Sequence, residues 1–390
     1  MTPAARTQAA IELLDAVIDA ARSGGAAADT LIARYFASRR YAGSKDRRAV
    51  RELVYAAIRR AGDVPASGRA AMLAVAADDP AVAATFDGSA HGPAPIMDGE
   101  APAAGGVMPS WLAEALAASG VSEAAQAALI DRAPLDIRVN RLRADPTVIA
   151  EALGGTPITG VPDALRLPAG TNVDAVAGQV EVQDAGSQIV SLAARARAGD
   201  RVVDLCAGGG GKTLALAAMM DNAGHILATD IDRARLSRLA PRAEKAGVTI
   251  VETRLLDPRH EAAALAGWNE AADVVLIDAP CSGTGTWRRN PEARWRLTPD
   301  RLGRFAEQQR HVLEVGAGLL RSGGALVYIV CSLLDAEGAG QVDAFLTAHP
   351  RWQAEPLDLP LGTQRGPGLR LDPASHGTDG FFVARLRRAC

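Results

Sequence analysis

Long apolar runs are missing from this chain: acids break each of them, beginning with Glu12, Asp15 and Asp19. No stretch reaches the roughly 18 apolar residues of a membrane span, and none reads as a signal peptide. Cysteine is scarce as well. Cys206, Cys281, Cys331 and Cys390 contain no C-x-x-C pair, so neither a disulfide framework nor a zinc site is expected. The histidines are scattered without ligand spacing, and no metal is expected. Aromatic residues make up 4% and the net charge is −3, so any basic surface that meets a nucleic acid must be local. These absences leave a cytoplasmic protein with reduced thiols, free of membranes and expected to be a monomer.

What is present reads as more than one domain, since 390 residues can bury two or three cores. The first sixty residues have helical period. Leu14, Val17, Ile18 and Ala21 share a face; Asp29 can cap a second helix with Leu31, Ile32, Tyr35 and Phe36; a third begins near Ser44 and buries Val50, Leu53, Val54, Ala57 and Ile58. Arg39, Arg40, Lys45, Arg47, Arg48 and Arg51 form a basic cluster, read as a solvated helix face or as a phosphate-contacting surface. From Gly62 to Gly106 the chain is rich in Ala, Gly and Pro, with helix expected around Met72 to Ala84 and then a linker. Ser110 is the expected cap of the next helix. Alternation at Leu135, Ile137 and Val139, then a helix near Pro146 to Leu153, suggests a small α+β unit.

Beyond Arg201 the pattern becomes strand, loop and helix in alternation, the mark of a doubly wound α/β sheet. The strands are expected at Val202–Leu205, His225–Thr229, Val248–Val251, Val274–Ile277 and Ala325–Val330, with a closing antiparallel edge strand at Phe381–Leu386. The division expected is 1–106 (helical), 107–180 (α+β) and 181–390 (α/β). After the first of these strands lies Cys206-Ala207-Gly208-Gly209-Gly210-Gly211-Lys212. A glycine loop at a helix start lets a ligand meet backbone N–H groups. Gly211-Lys212-Thr213 matches the end of a Walker A loop, but Cys206 stands where its first glycine belongs. Asp230, Asp257 and Asp278 follow three successive strands. Carboxylates suit ribose hydroxyls and a cationic sulfonium and repel a triphosphate, so S-adenosylmethionine is favoured over ATP. Asp230 is assigned to the ribose, Asp257 to the adenine end and Asp278 to the reactive end. Cys281 and Cys331 follow adjacent strands beside this loop, which suggests covalent catalysis.

Asp204 to Thr213, Asp278-Ala279-Pro280-Cys281-Ser282-Gly283-Thr284-Gly285 and Tyr328-Ile329-Val330-Cys331-Ser332 together resemble the Nop/Sun family of RNA 5-methylcytosine methyltransferases. The helical N-terminus is similar to the NusB-like RNA-binding domain of that family's RsmB (Sun) branch. The resemblance implies a class I methyltransferase fold, Rossmann-like, behind an all-α domain and a small α+β linker. It further implies Cys331 as nucleophile on cytosine carbon 6, Cys281 in proton loss and product release, and Asp278 on the cytosine edge. Cys206 to Lys212, Asp230 and Asp257, with Asp278, would hold S-adenosylmethionine. The implied substrate is small-subunit (16S) rRNA, its cytosine single-stranded or flipped out; transfer RNA, or a catalytically silent assembly factor, are the alternatives. Gly208-Gly209 replaces the family's Ala-Pro, Ile329-Val330 its Ser-Thr, and Gly338 the Asn after Glu337. The first change predicts a more flexible cofactor loop. Finally, Arg288, Arg289, Arg294 and Arg296 with Trp287 and Trp295 are expected to touch RNA phosphates and bases, the alternative being a solvated basic turn.

Overall fold

The computed structural model describes residues 1–258 and 260–388. Contacts divide the chain into two units, Met1–Arg132 with Thr286–Thr298, and Ala133–Gly285 with Pro299–Cys390. The Cys390 thiol lies outside the described residues.

The first unit is helical. Thr2 caps the helix Pro3–Ser23 by accepting the Ala5 N–H at 3.2 Å, and Gly24 ends it in the left-handed region. Its Leu13, Leu14, Val17 and Ile18 pack in one core with Val50, Val54, Ala57 and Ile58 of the helix Ser44–Arg60. Leu53 only borders that core. Gly68 starts the helix Gly68–Asp78 where a Cβ would stand 2.2 Å from the Ile11 carbonyl oxygen, so glycine is what admits this close crossing.

Two expected caps differ. Ala27, not Asp29, is the N-cap of the helix Ala28–Ala37, and its first N–H is taken by Glu292 from far along the chain, at 3.0 Å. Ser110 is the first residue of the helix Ser110–Ala118, with Pro109 in the cap position and no side-chain cap bond. The stretch expected to end as a linker is instead pinned. Arg69 binds Glu100 through two nitrogens at 2.7 Å each and also donates to the Ala94 and Pro95 carbonyls.

The second unit opens with an antiparallel sheet of β1 (Leu135–Val139), β2 (Thr156–Pro157), β3 (Ala164–Leu167) and β4 (Val180–Val182), in the order β2-β3-β1-β4. A larger sheet follows: β5 (Arg201–Asp204), β6 (His225–Asp230), β7 (Val251–Leu255), β8 (Ala272–Asp278), β9 (Leu320–Val330), β10 (Trp352–Glu355), β11 (Thr363–Arg365), β12 (Gly368–Leu371) and β13 (Phe381–Arg388). Its order is β11-β12-β13-β9-β8-β5-β6-β7, with β10 on β13; β5 to β9 run parallel and β13 antiparallel.

Side chains alternate strictly between two cores, one on each face. Val202, Val274, Leu276, Val327 and Ile329 face the helices Ala185–Leu192 and Gly211–Met219. Val203, Val275, Ile277, Leu326 and Tyr328 face Pro299–Leu319 and Ala339–Ala348. This is the Rossmann-like sheet expected from the sequence.

Two strand assignments need correction. β7 begins at Val251, because the Val248 N–H still closes the preceding helix end by donating to Ala243. The closing strand is antiparallel as expected but interior, since β12 pairs its far side. No described helix is long and apolar enough to cross a membrane.

Candidate active site

The strand order reverses between β5 and β8, and in such sheets the crevice at the carboxyl ends beside that reversal receives the ligand. The glycine loop leaves β5 at this point. It is tied to its neighbours through backbone bonds: Leu205 N–H donates to Leu276 at 2.9 Å and Ala207 N–H to Thr229 at 2.8 Å. Gly210 sits at φ +84° with Leu239 Cδ1 2.1 Å from where a Cβ would be, so a side chain is excluded on two counts. At Gly211, the first residue of the following helix, a Cβ would meet nothing within 4 Å. The loop therefore presents open space at a helix N-terminus.

Asp230 is buried and clamps the loop. One carboxylate oxygen accepts Gly208 N–H at 2.8 Å and the other accepts Asp232 N–H at 2.7 Å. Exposed Ile231 follows it, an apolar surface beside the acid. Asp204, fully buried at the end of β5, accepts the Thr213 hydroxyl at 2.6 Å through one oxygen while the other has no partner. Burial pushes its pKa up to about 7. Burial, reinforced by the charges of Asp204, Asp230 and Asp278, pushes the Cys206 thiol far up, so it stays protonated. Asp257 is placed apart. Its carboxylate is exposed and faces His260 at 3.4 Å, while the backbone of the preceding Leu256 donates to Asp230.

Lys212 and Asp278 meet across the crevice. The buried ammonium donates to Asp278 Oδ2 at 2.7 Å. Burial opposes the charge on Lys212, but Asp278 more than offsets it and Cys331 adds to the effect, so its pKa is raised. Alongside, the Cys281 and Cys331 sulfurs stand 3.3 Å apart at the ends of β8 and β9. The hydrogen bond to Cys331, then burial, raises the Cys281 pKa well above the usual thiol value, so Cys281 keeps its proton.

The fold thus brings together Cys206 to Lys212, Asp230, Asp278, Cys281 and Cys331. Among the described residues no cluster of His, Cys, Asp and Glu could hold a metal ion.

A family model described as 16S rRNA methyltransferase RsmB/F matches residues 191–387. The chain belongs to the RsmB/F family. Within that family it is 34% identical over 307 residues to the ribosomal RNA small subunit methyltransferase B of Sodalis glossinidius, covering 75% of this chain and 69% of the relative. It is 35% identical over 273 residues to the probable methyltransferase B of Synechocystis, covering 65% and 60%. The chain therefore spans between half and about two thirds of the length of such relatives. Among solved structures, that of PH0851 superposes with a TM-score of 0.76 at 26% identity, covering 100% of this chain and 99% of the other.

The site holds residues that motif reading passed over. In the sequence Glu337 stands only beside the changed Gly338, and Gln309 lies in a helix with no motif. Both are buried against the cysteine loops.

The RNA-contact expectation for 287–296 is overturned for its central residues. Arg294 is fully buried and donates to the carbonyls of Ile58 and Ala61 at 2.6 and 2.7 Å, and Trp295 lies in the helical core. Trp287 and Arg288 are buried too, and Arg296 donates to Gly25 and Ala26. The physical reason is that a guanidinium offers several donors to helix-end carbonyls, a use as good as phosphate binding.

Proposed function

We propose that this protein is an RNA methyltransferase that transfers a methyl group from S-adenosylmethionine to carbon 5 of a cytosine, in 16S rRNA. One observation carries the reading: two thiols in contact at the ends of adjacent strands, 3.3 Å apart, beside the Lys212–Asp278 pair and the glycine loop. Family membership supports the substrate class.

The loop fits an adenosyl cofactor. Its last glycine, Gly211, opens onto space at a helix N-terminus, Asp230 lies beside apolar Ile231, and the acids suit a sulfonium. Cys206 to Lys212, Asp230 and Asp278 would hold it. When bound, S-adenosylmethionine supplies an electrophilic methyl group.

The protein's own residues do the rest. Cys331 adds through its sulfur to carbon 6 of the cytosine as its thiol proton is lost, and the electron pair moves onto the ring and makes carbon 5 nucleophilic. Asp278 pairs with the base edge and stabilises the ring protonated at nitrogen. Once carbon 5 is methylated, its proton passes to Cys281, which has by then shed its own to solvent, and Cys331 is expelled as the double bond re-forms. Cys281 retains its proton in the resting site, so it acts late rather than as the attacking group.

Cys331→Ser is expected to lower methyl transfer at least a thousandfold, while Cys281→Ala accumulates an RNA–protein adduct visible as a retarded band on denaturing gels. Bisulfite sequencing of total RNA from cells with and without the gene then names the cytosine. Loss of a transfer-RNA methylcytosine would move the substrate, and no lost methylcytosine would refute the activity.

A further inference from the structure

Glu337 is 1% exposed, yet its hydrogen bonds go to neutral partners. Oε1 accepts the Ser282 N–H at 2.8 Å and the Gln309 side-chain amide at 3.2 Å. Oε2 accepts both the Ser282 and Ser332 hydroxyls. Ser282 follows Cys281 and Ser332 follows Cys331, so one carboxylate holds the residue next to each thiol. Further bonds brace the same spot: Thr284 Oγ1 stands 3.1 Å from Ser332 Oγ and accepts Leu333 N–H at 2.9 Å, and Gly285 N–H donates to the Cys331 carbonyl at 3.0 Å. Gln309 also donates to the Pro280 carbonyl at 2.9 Å, fixing the peptide that leads into Cys281. Tyr328 anchors the Glu337 backbone, its hydroxyl donating to that carbonyl at 2.6 Å.

A buried carboxylate is an expensive way to stabilise a fold. Without a cation its desolvation is offset only by the donors around it, and apolar packing in the same space would cost less. The carboxylate does what apolar packing cannot: it ties two loops from different strands to one point with directional bonds. Resting on the function proposed above, we infer that Glu337 is a positioning residue that locks the Cys281 loop to the Cys331 loop and so holds the two thiols in contact. It touches neither substrate nor cofactor; it acts through the cysteines.

The test reads the thiol pair directly. Dibromobimane, which bridges neighbouring thiols, is applied to the full-length protein, and the bridged peptides are mapped by mass spectrometry to separate the Cys281–Cys331 product from any involving Cys206 or Cys390. The wild type is expected to bridge Cys281 to Cys331. Glu337→Gln, which keeps the shape but brings donors where acceptors are needed, should cut that yield at least tenfold, and Ser332→Ala about threefold. In parallel, kcat for methylation of RNA from cells lacking the gene should fall about a hundredfold in Glu337→Gln, with KM for S-adenosylmethionine within twofold of the wild type. Bridging at the wild-type rate in Glu337→Gln overturns the inference, as does a loss of bridging matched by an equal loss of cofactor binding. If Glu337→Gln does not melt cooperatively, Ser282→Ala with Ser332→Ala decides by the same bridging yield. A wild type that bridges but never methylates would refute the proposed function and leave the positioning role standing on the bridging results.

Discussion

The basic residues at 39–51 and those at 288–296 belong to the same helical unit but meet opposite surroundings. Arg40, Lys45, Arg47, Arg48 and Arg51 are exposed, and the first group's partners are nearby acids and aromatic rings and the Tyr35 and Ala42 carbonyls. Arg39 stacks on Tyr35 with its guanidinium carbon 3.6 Å from the ring centre, and Arg51 pairs with Asp29 at 2.8 Å. Exposed pairs of this kind are worth ~0–1 kcal/mol. In the second group Arg294 is sealed among the carbonyls that end the helix Ser44–Arg60, and burial lowers its pKa to about 10. Arginine next to tryptophan is therefore an ambiguous sign. The same fork of donors serves a phosphate at the surface and a helix end in the interior.

The largest effect that separates the two groups is expected at Arg294. Arg294→Ala should cost about 3–5 kcal/mol, because it strands helix-end carbonyls and empties a buried site; the shift of the urea midpoint at unchanged slope measures it. A loss under about 1 kcal/mol would place Arg294 with the surface group.

A buried charge of the other sign sharpens the contrast. Asp204 is fully buried with its pKa raised from 3.8 to about 7. Between those values the folded protein holds a proton that the unfolded chain has shed, so stability falls as pH rises through that window. The decline should amount to about 2–4 kcal/mol between pH 4 and pH 8. Asp204→Asn, which can still accept the Thr213 hydroxyl, should abolish it in urea titrations repeated across pH. A variant that declines like the wild type would assign the effect elsewhere.

The smallest stability effect is expected at the exposed cluster. Replacing Arg40, Lys45 and Arg48 together by Ala should change stability by about 0.5 kcal/mol or less. If this face meets RNA phosphates, the same change lowers the slope of log affinity against log salt by about 2 for a single strand. An unchanged slope would make the cluster a solvated face.

The α/β sheet was legible because its strands are near-continuous apolar runs ending in acids or cysteines, a pattern with few alternatives. The glycine loop, Asp278 and the two cysteines were legible for the same reason: each sits at a strand end. Asp257 shows the limit, since a strand end fixes the backbone but not where the side chain points. Glu337 and Gln309 were illegible because their meaning lies in a contact across the fold, and the cap that Glu292 gives to Ala28 spans most of the chain. Arg294 misled because charge pattern carries no information about depth.

The return of Thr286–Thr298 to the helical unit also bears on how the protein comes into being. Its helices precede the α/β sheet in the chain, yet Glu292, Arg294 and Trp295 complete their packing only after β5 to β8 have been synthesised. Until then Ala28 lacks its cap and the helix Ser44–Arg60 lacks the arginine at its end. The N-terminal region is thus not a cassette that gene fusion can lift out intact. Cutting after Arg132 would release helices that still await a piece of their own interior.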